Sequence, residues 1–359
     1  MPESTLALFS GTPGELSLER RPLPIPGPGE ILVRVLGCTL CGSDLHTVAG
    51  RRSVAVPTVL GHEIVGEIAA FGPGAPRHDI AGTVIAEGTA ITWAIVAGCG
   101  ECYCCTRDLW PKCERGVKYG HERAAAGSEF RGGLAEHCVL VPGTAIVGLP
   151  AGLALEVACP ANCATATVVA ALEAAGDLSG ACVAILGAGL LGLTAAALAQ
   201  ARGARDVIVV DTRAGRAARA AEFGATAVGS PGDLPGLVAA ATAGRGADVL
   251  VELTGATAAL AGAWEQVRIG GTILLVGAVS PDAPWAIVPE RIVRRALSIR
   301  GIHNYSPRHL AAAVAFLADA WHRYPFAGLV SAWYPLSQVT TAFVAAADGS
   351  HVRVGVRPG

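Results

Sequence analysis

The second half of the chain constrains the fold most, because apolar β-branched runs alternate there with small-residue runs of helical character. From Cys163 onward the pattern predicts a helix over Thr165–Ala175, then strand Cys182–Leu186, helix Leu190–Ala201, strand Val207–Val210 and helix Ala214–Phe223. Strand Val249–Glu252, helix Ala256–Val267 and strand Thr272–Val276 continue it. Such alternation is the signature of βαβ units wound into a parallel sheet with helices on both faces. Helices Pro307–Ala320 and Leu336–Ala347 and a last strand, His351–Val356, follow. Ala181–Ala201 carries no charge and is about as long as a membrane span. Gly187, Gly189 and Gly192 interrupt it, so it reads as a strand and a helix, and no membrane association is expected.

Those glycines form Gly187-Ala188-Gly189-Leu190-Leu191-Gly192, which fits G-x-G-x-x-G directly after an apolar strand and at the start of a helix. Gly187 permits the tight turn, Gly189 lets the backbone approach a pyrophosphate, and Gly192 lets helix and strand pack closely. The helix N-terminus then faces the phosphates. Asp211 ends the next strand, where a carboxylate accepts hydrogen bonds from ribose hydroxyls and repels a 2′-phosphate, favouring NAD over NADP. Thr212, Arg213 and Arg216 stand beside it, and an Arg there is able to receive that phosphate.

Residues 1 to about 150 read differently: Gly- and Pro-rich, with short strands at Ile31–Leu36, Glu63–Ala70, Gly82–Ala86 and Ala135–Val141. That pattern predicts a β-rich domain with long functional loops. Gly37 is expected to end the first of these strands, just before Cys41-Gly42-Ser43-Asp44-Leu45-His46. His62-Glu63 follows 21 residues after Cys41. Cys and His are donors that zinc prefers, and a catalytic zinc keeps three protein ligands and one open position. Cys41 and His62 are two candidate ligands, and a third must come from elsewhere. As plain structural residues, Ser43 and Asp44 would cap a helix and His46 would be a solvated imidazole.

Eleven cysteines in a chain whose first residues lack a signal-peptide pattern point to metal binding in the cytoplasm rather than disulfides. Cys99, Cys102, Cys105 and Cys113 are spaced C-x2-C-x2-C-x7-C, which suits a closed, tetrahedral, structural zinc. Cys104 lies within that loop but out of register and is expected to be a free thiol. A net charge of −2 excludes a general affinity for nucleic acid. The length, 359 residues, exceeds what one core supports and predicts two domains.

Taken together, Gly61-His62-Glu63, the Cys41 segment, the four-cysteine loop, Gly132-Gly133 with Ala135-Glu136, and the glycine fingerprint with Asp211 resemble the zinc-dependent medium-chain dehydrogenases, which include alcohol, sorbitol and threonine dehydrogenases. The resemblance implies a GroES-like catalytic domain over 1–164, a Rossmann coenzyme domain over 165–303, and a return to the catalytic domain over 304–359. It implies an alcohol dehydrogenase with two zinc ions and NAD, active on a small alcohol or the matching carbonyl compound as a homodimer or homotetramer. It supplies Cys163 as the third catalytic ligand, where sorbitol-type relatives use a glutamate.

Further roles come by the same resemblance. Asp44 would fix the His62 tautomer, and Glu63 would sit behind the metal. Ser43 and His46 would relay the proton. Thr167 would pack on the nicotinamide, Val276 would bind the cofactor, and Arg353 would lie near the pyrophosphate. Gly42 stands where some relatives carry a phosphate-binding Arg, and losing such a contact would weaken NAD binding by about 1.5–3 kcal/mol.

Locally, Lys118-Tyr119-Gly120-His121-Glu122, Pro160 to Thr165, and His303-Asn304-Tyr305 resemble a bacterial branch associated with phosphonate metabolism. That implies a small anionic substrate such as a hydroxyalkylphosphonate or phosphonoaldehyde. Arg51, Arg52, Lys118, His121 and Arg131 are candidate countercharges. The alternatives are a polyol or amino-alcohol dehydrogenase, a C=C or C=N reductase of the same fold, and a non-catalytic zinc- or nucleotide-binding protein.

Overall fold

The computed structural model describes residues 2–358. The chain divides into two compact units: residues 1–166, 305–321 and 326–359 form the first, and 167–304 with 322–325 the second.

The first unit is built on a mixed sheet. Its strands lie in the order Ile146–Gly148, Ala90–Trp93, Glu63–Phe71, Ile31–Thr39, Arg353–Arg357 and Val330–Pro335, and His137–Leu140 also pairs with Ile31–Thr39. The last two strands come from the end of the chain and pair parallel to each other; Arg353–Arg357 joins Ile31–Thr39 antiparallel. Alternating residues of Ile31–Thr39 and Glu63–Phe71 enter a core holding Trp93, Tyr119, Leu6 and Ile64, all 1 % exposed or less.

Several elements differ from the sequence-based expectation. Gly37 does not end its strand, which runs on to Thr39 with a register shift between Val35 and Gly37. The glycine serves close packing instead: a Cβ there would lie 2.9 Å from Leu155 Cδ2 and 3.1 Å from Trp333. Gly82–Ala86 is no strand; only one bridge, His78 to Val84, forms there. The Asp79 carboxylate accepts from the Ala81, Thr83 and Gly148 N–H groups, so it takes donors a ladder would need. A hairpin of Glu3–Phe9 and Leu16–Pro22, absent from the expectation, packs at the N-terminus.

The second unit is a six-stranded parallel sheet in the order Ala227–Gly229, Asp206–Val210, Cys182–Leu186, Ala247–Glu252, Val267–Leu275, Ser298–Gly301. Numbered along the chain this is 3-2-1-4-5-6, the doubly wound order. Its central strands are buried on both faces, as their unbroken apolar runs require. Ala256–Val267 is not one helix: Gly262, at φ +71°, separates two 3₁₀ turns, Thr257–Leu260 and Ala263–Gln266. Helix Leu234–Thr242 was not anticipated. Among the described residues no single helix is long and apolar enough to cross a membrane, and Ala181–Ala201 folds as a strand and a helix.

Candidate active site

Strand Ile31–Thr39 leads into Cys41, which opens the helix Gly42–Val48. Asp44, in the first turn, accepts from the Cys41 N–H at 3.0 Å, tying that turn together. Gly61, at φ +88°, turns the chain into His62 at the head of strand Glu63–Phe71. Cys163 follows a 3₁₀ turn, Cys159–Asn162. These three side chains converge: a donor atom from each of Cys41, His62 and Cys163 lies within 4.8 Å of the other two.

The electrostatics of this cluster suit a cation. Cys163 as a hydrogen-bond donor and the nearby Arg353 hold the Cys41 thiol well below its ordinary range against the effect of burial. The same shared proton and burial push Cys163 up. Burial draws His62 down, but Asp44 and Cys41 outweigh it and push the imidazole up to about 10. One sulfur, that of Cys41, and the Asp44 carboxylate therefore favour positive charge at the His62 ring. Two thiolates with an imidazole are a donor set for a catalytic zinc, and these residues fit one.

The neighbours are also placed. Asp44 Oδ1 lies 3.3 Å from His62 Nδ1, at ion-pair distance but off hydrogen-bond alignment. Glu63 is fully buried; it accepts from Thr39 Oγ1 at 2.6 Å and from Arg353 Nε and Nη2 at 3.0 and 2.9 Å. Arg353 Nη2 also lies 3.6 Å from Cys41 Sγ. Ser43 Oγ sits 3.4 Å from His62 Nε2. His46 accepts instead from Arg51 Nε at 3.0 Å, and no hydrogen bond joins Ser43 to His46 among the described residues. Burial and then the Arg51 and Arg52 charges hold His46 below its ordinary value. His121 lies with its ring centroid 5.1 Å from that of His62.

Asn162 and Tyr305 hold the Cys163 segment, a role the residue pattern did not announce. Asn162 Oδ1 accepts from the Ile64 N–H at 3.2 Å, and its Nδ2 donates to Trp93 O at 2.8 Å. The Tyr305 hydroxyl donates to Asn162 O and accepts from the Ile95 N–H. An amide directly before Cys163 was the available signal for Asn162.

The second cysteine cluster also assembles. Cys99, Cys102, Cys105 and Cys113 offer sulfurs all within 4.8 Å of one another, with Cys99–Cys105 at 4.0 Å and Cys102–Cys113 at 3.9 Å. Tetrahedral Zn–S bonds of ~2.3 Å place sulfurs roughly 3.8 Å apart, so the loop matches zinc. The N–H groups of Cys99, Cys102 and Cys105 point at sulfurs 3.2–3.5 Å away, offsetting the charge of four thiolates. Cys104 stays outside the four.

In the second unit the fingerprint glycines each show a steric reason. Gly187 has φ +98°, and a Cβ at Gly192 would lie 1.8 Å from Gly187 O. A Cβ at Gly189 would meet nothing within 4 Å, leaving open the side where a pyrophosphate approaches. Leu190 and Leu191 begin the helix Leu190–Ala201. The Asp211 carboxylate accepts from the N–H groups of Ala188 and Arg213, both at 2.8 Å. It borders a cavity of about 310 Å³, lined also by Thr212, Ala217, Val228, Ser230 and Asp233; neither Arg213 nor Arg216 lines it. Thr167 is buried in helix Ala164–Ala174, and Val276 follows strand Val267–Leu275. The sequence reading passed over Glu252: buried at its strand end, it accepts from the Thr254, Gly255 and Ala278 N–H groups and shapes two loops at the carboxyl edge of the sheet.

Comparison with known proteins gives the same two parts. Residues 27–151 match the alcohol dehydrogenase GroES-like domain, and residues 191–319 match the zinc-binding dehydrogenase family. An L-threonine 3-dehydrogenase of Pyrococcus horikoshii is 33% identical over 320 residues, covering 86% of this chain and 85% of that protein. The 5-exo-hydroxycamphor dehydrogenase of Pseudomonas putida is 29% identical, covering 92% of each chain. The crystal structure of an alcohol dehydrogenase from Thermotoga maritima superposes with a TM-score of 0.93 at 26% identity, over 100% of both chains.

Proposed function

The chain belongs to the zinc-binding medium-chain alcohol dehydrogenase family, an oxidoreductase family, and from that membership we propose that it oxidises a small alcohol with NAD, or runs the reverse reduction, using two zinc ions. The observation that carries this reading is the convergence of Cys41, His62 and Cys163, distant in sequence, within 4.8 Å.

These three side chains would hold the catalytic ion, and Cys99, Cys102, Cys105 and Cys113 the structural one. Bound at the first site, zinc supplies Lewis acidity that lowers the pKa of an alcohol hydroxyl. The chain's own groups do the rest. Asp44 orients His62. Arg353 neutralises Glu63 behind the centre, so that a buried carboxylate is not left unpaired. Ser43 receives the substrate proton and passes it toward His46, whose Nδ1 lone pair Arg51 Nε must first release. That relay requires Ser43 to turn from His62 Nε2, its partner in the structure, once substrate is present. Thr167, Val276 and the fingerprint helix position the nicotinamide for hydride transfer.

The preference for NAD over NADP is supported by the cavity beside Asp211, whose charged lining is the two acids Asp211 and Asp233. A cytoplasmic homo-oligomer belongs to the same reading. The second unit ends on the edge strand Ser298–Gly301 and exposes Val279, Val288 and Val293 in the same region of the chain.

A second reading, an amino-alcohol dehydrogenase of the threonine type, is favoured by the L-threonine 3-dehydrogenase relative. A hydroxyalkylphosphonate is the other substrate class retained. A panel of alcohols followed by NADH absorbance separates them. Cys163→Ala is expected to abolish turnover while leaving the fold intact by circular dichroism. A fully active Cys163→Ala enzyme, or one indifferent to chelation, would refute the assignment.

A further inference from the structure

We propose that Arg52, oriented by His121 and accompanied by Lys118, forms an oxyanion-binding subsite beside the Cys41–His62–Cys163 centre, so that the alcohol substrate carries a carboxylate or phosphonate group a few atoms from its hydroxyl. This deepens the dehydrogenase reading and rests on it. His121 marks the position, since its ring lies 5.1 Å from that of His62.

The hydrogen bonds of His121 define how Arg52 is held. His121 Nδ1 lies 2.9 Å from Tyr119 O, and a carbonyl only accepts, so Nδ1 carries the proton. Nε2 then offers its lone pair, and it takes a hydrogen bond from Arg52 Nη1 at 2.8 Å. The backbone fixes Arg52 too, through its N–H to His46 O at 3.1 Å, at the end of the helix that Cys41 opens. One edge of the guanidinium is used, and its other N–H groups stay available as a planar fork for two oxygens.

The charges around it favour an anion. Arg52 has no carboxylate partner among the described residues; His121 is the only side chain bonded to it. Lys118 pairs in register with Val96, which packs against Cys41 and Cys163. The Lys118 ammonium is half-buried and feels the Arg52 charge. Glu122 Oε1 accepts from the Lys118 backbone N–H at 2.8 Å. Arg51 is turned the other way, onto His46. Arg52 is partly out of water with no carboxylate beside it among the described residues, and an anion on its open fork relieves that cost. The neutral, apolar walls of a simple alcohol pocket would not need this charge.

Three alcohols of matched length test the subsite: 3-hydroxypropanoate, 2-hydroxyethylphosphonate and the neutral 3-hydroxypropanamide. Isothermal titration calorimetry on the zinc-loaded protein with NAD reads binding apart from turnover, and NADH absorbance reads turnover. At least one anion is expected to bind about tenfold or more tighter than the amide. Arg52→Gln is expected to erase that preference, and Arg52→Lys, which keeps the charge but not the fork, to restore part of it. The ranking of the two anions tells carboxylate from phosphonate. The subsite is overturned if the amide binds as tightly as both anions, or if folded Arg52→Gln and Arg52→Lys proteins both keep the full preference. Selective anion binding with no NAD reduction by any alcohol would instead remove the dehydrogenase reading and leave the subsite standing.

Discussion

Asp44 and Cys41 push His62 up to about 10 despite burial, so in metal-free protein a proton occupies the ring that a metal would use. Cys163 keeps its proton as well. Zinc uptake at this centre near pH 7 is therefore expected to release about two protons, measured by calorimetry in buffers of different ionisation enthalpy. Apparent affinity should rise with pH through about 10, where the His62 proton is lost. The sign for stability is the opposite. A raised histidine stabilises the metal-free fold fully below its unfolded value of about 6.5. That contribution is lost as pH climbs through about 10, which thermal melts of chelated protein will read. In the second unit, Asp211 faces a cavity with no arginine in its lining. Asp211→Ala is expected to cut the ratio of kcat/KM for NAD over NADP by about tenfold or more, a loss of one charge repulsion and of ribose contacts. At this scale most donors could be read from residue type and spacing. Asn162, Tyr305, Thr39 and Glu252 could not, because what they do depends on partners brought in from other strands.

Among the elements, the glycine turn is the most demanding. A Cβ at Gly192 would stand 1.8 Å from Gly187 O, so Gly192→Ala must push the helix Leu190–Ala201 off its strand. The expected cost is roughly 1–3 kcal/mol of stability. NADH affinity should fall with it, read by denaturant unfolding and fluorescence titration. Cys105 is the one buried residue of the 99–113 loop, so the loop is expected to depend on its ligands. Cys102→Ser is expected to lower zinc from two to one per chain by mass spectrometry and to make the 99–113 segment the first cut by protease. Elements with strong periodicity were legible: Leu190–Ala201 and Pro307–Ala320 have the bounds the pattern predicted. Ala256–Val267 was not, because a single glycine at positive φ divides it. Gly82–Ala86 looked extended, but a side chain claimed its backbone donors.

For the whole molecule, the proposed zinc ligands all lie in one of the two compact units and the glycine fingerprint in the other, so the effects of zinc and nucleotide on stability are expected to separate. Chelation is expected to lower the melting temperature through the first unit and saturating NADH to raise it through the second, the nucleotide adding about 2.7 kcal/mol of stability at a hundredfold excess over Kd. Differential scanning calorimetry with each ligand alone checks this. The local information in the chain was enough for the parallel αβ sheet, its glycine turn and the four-cysteine loop, since each is set by periodicity or by spacing within a few residues. Only the tertiary structure decided that Cys163 meets Cys41 and His62, that Arg353 returns from the far end of the chain to neutralise Glu63, and that Arg52 rests on His121. Those contacts join residues separated by up to 290 positions. No local propensity encodes such a meeting; it follows from which strands pair and which faces they bury.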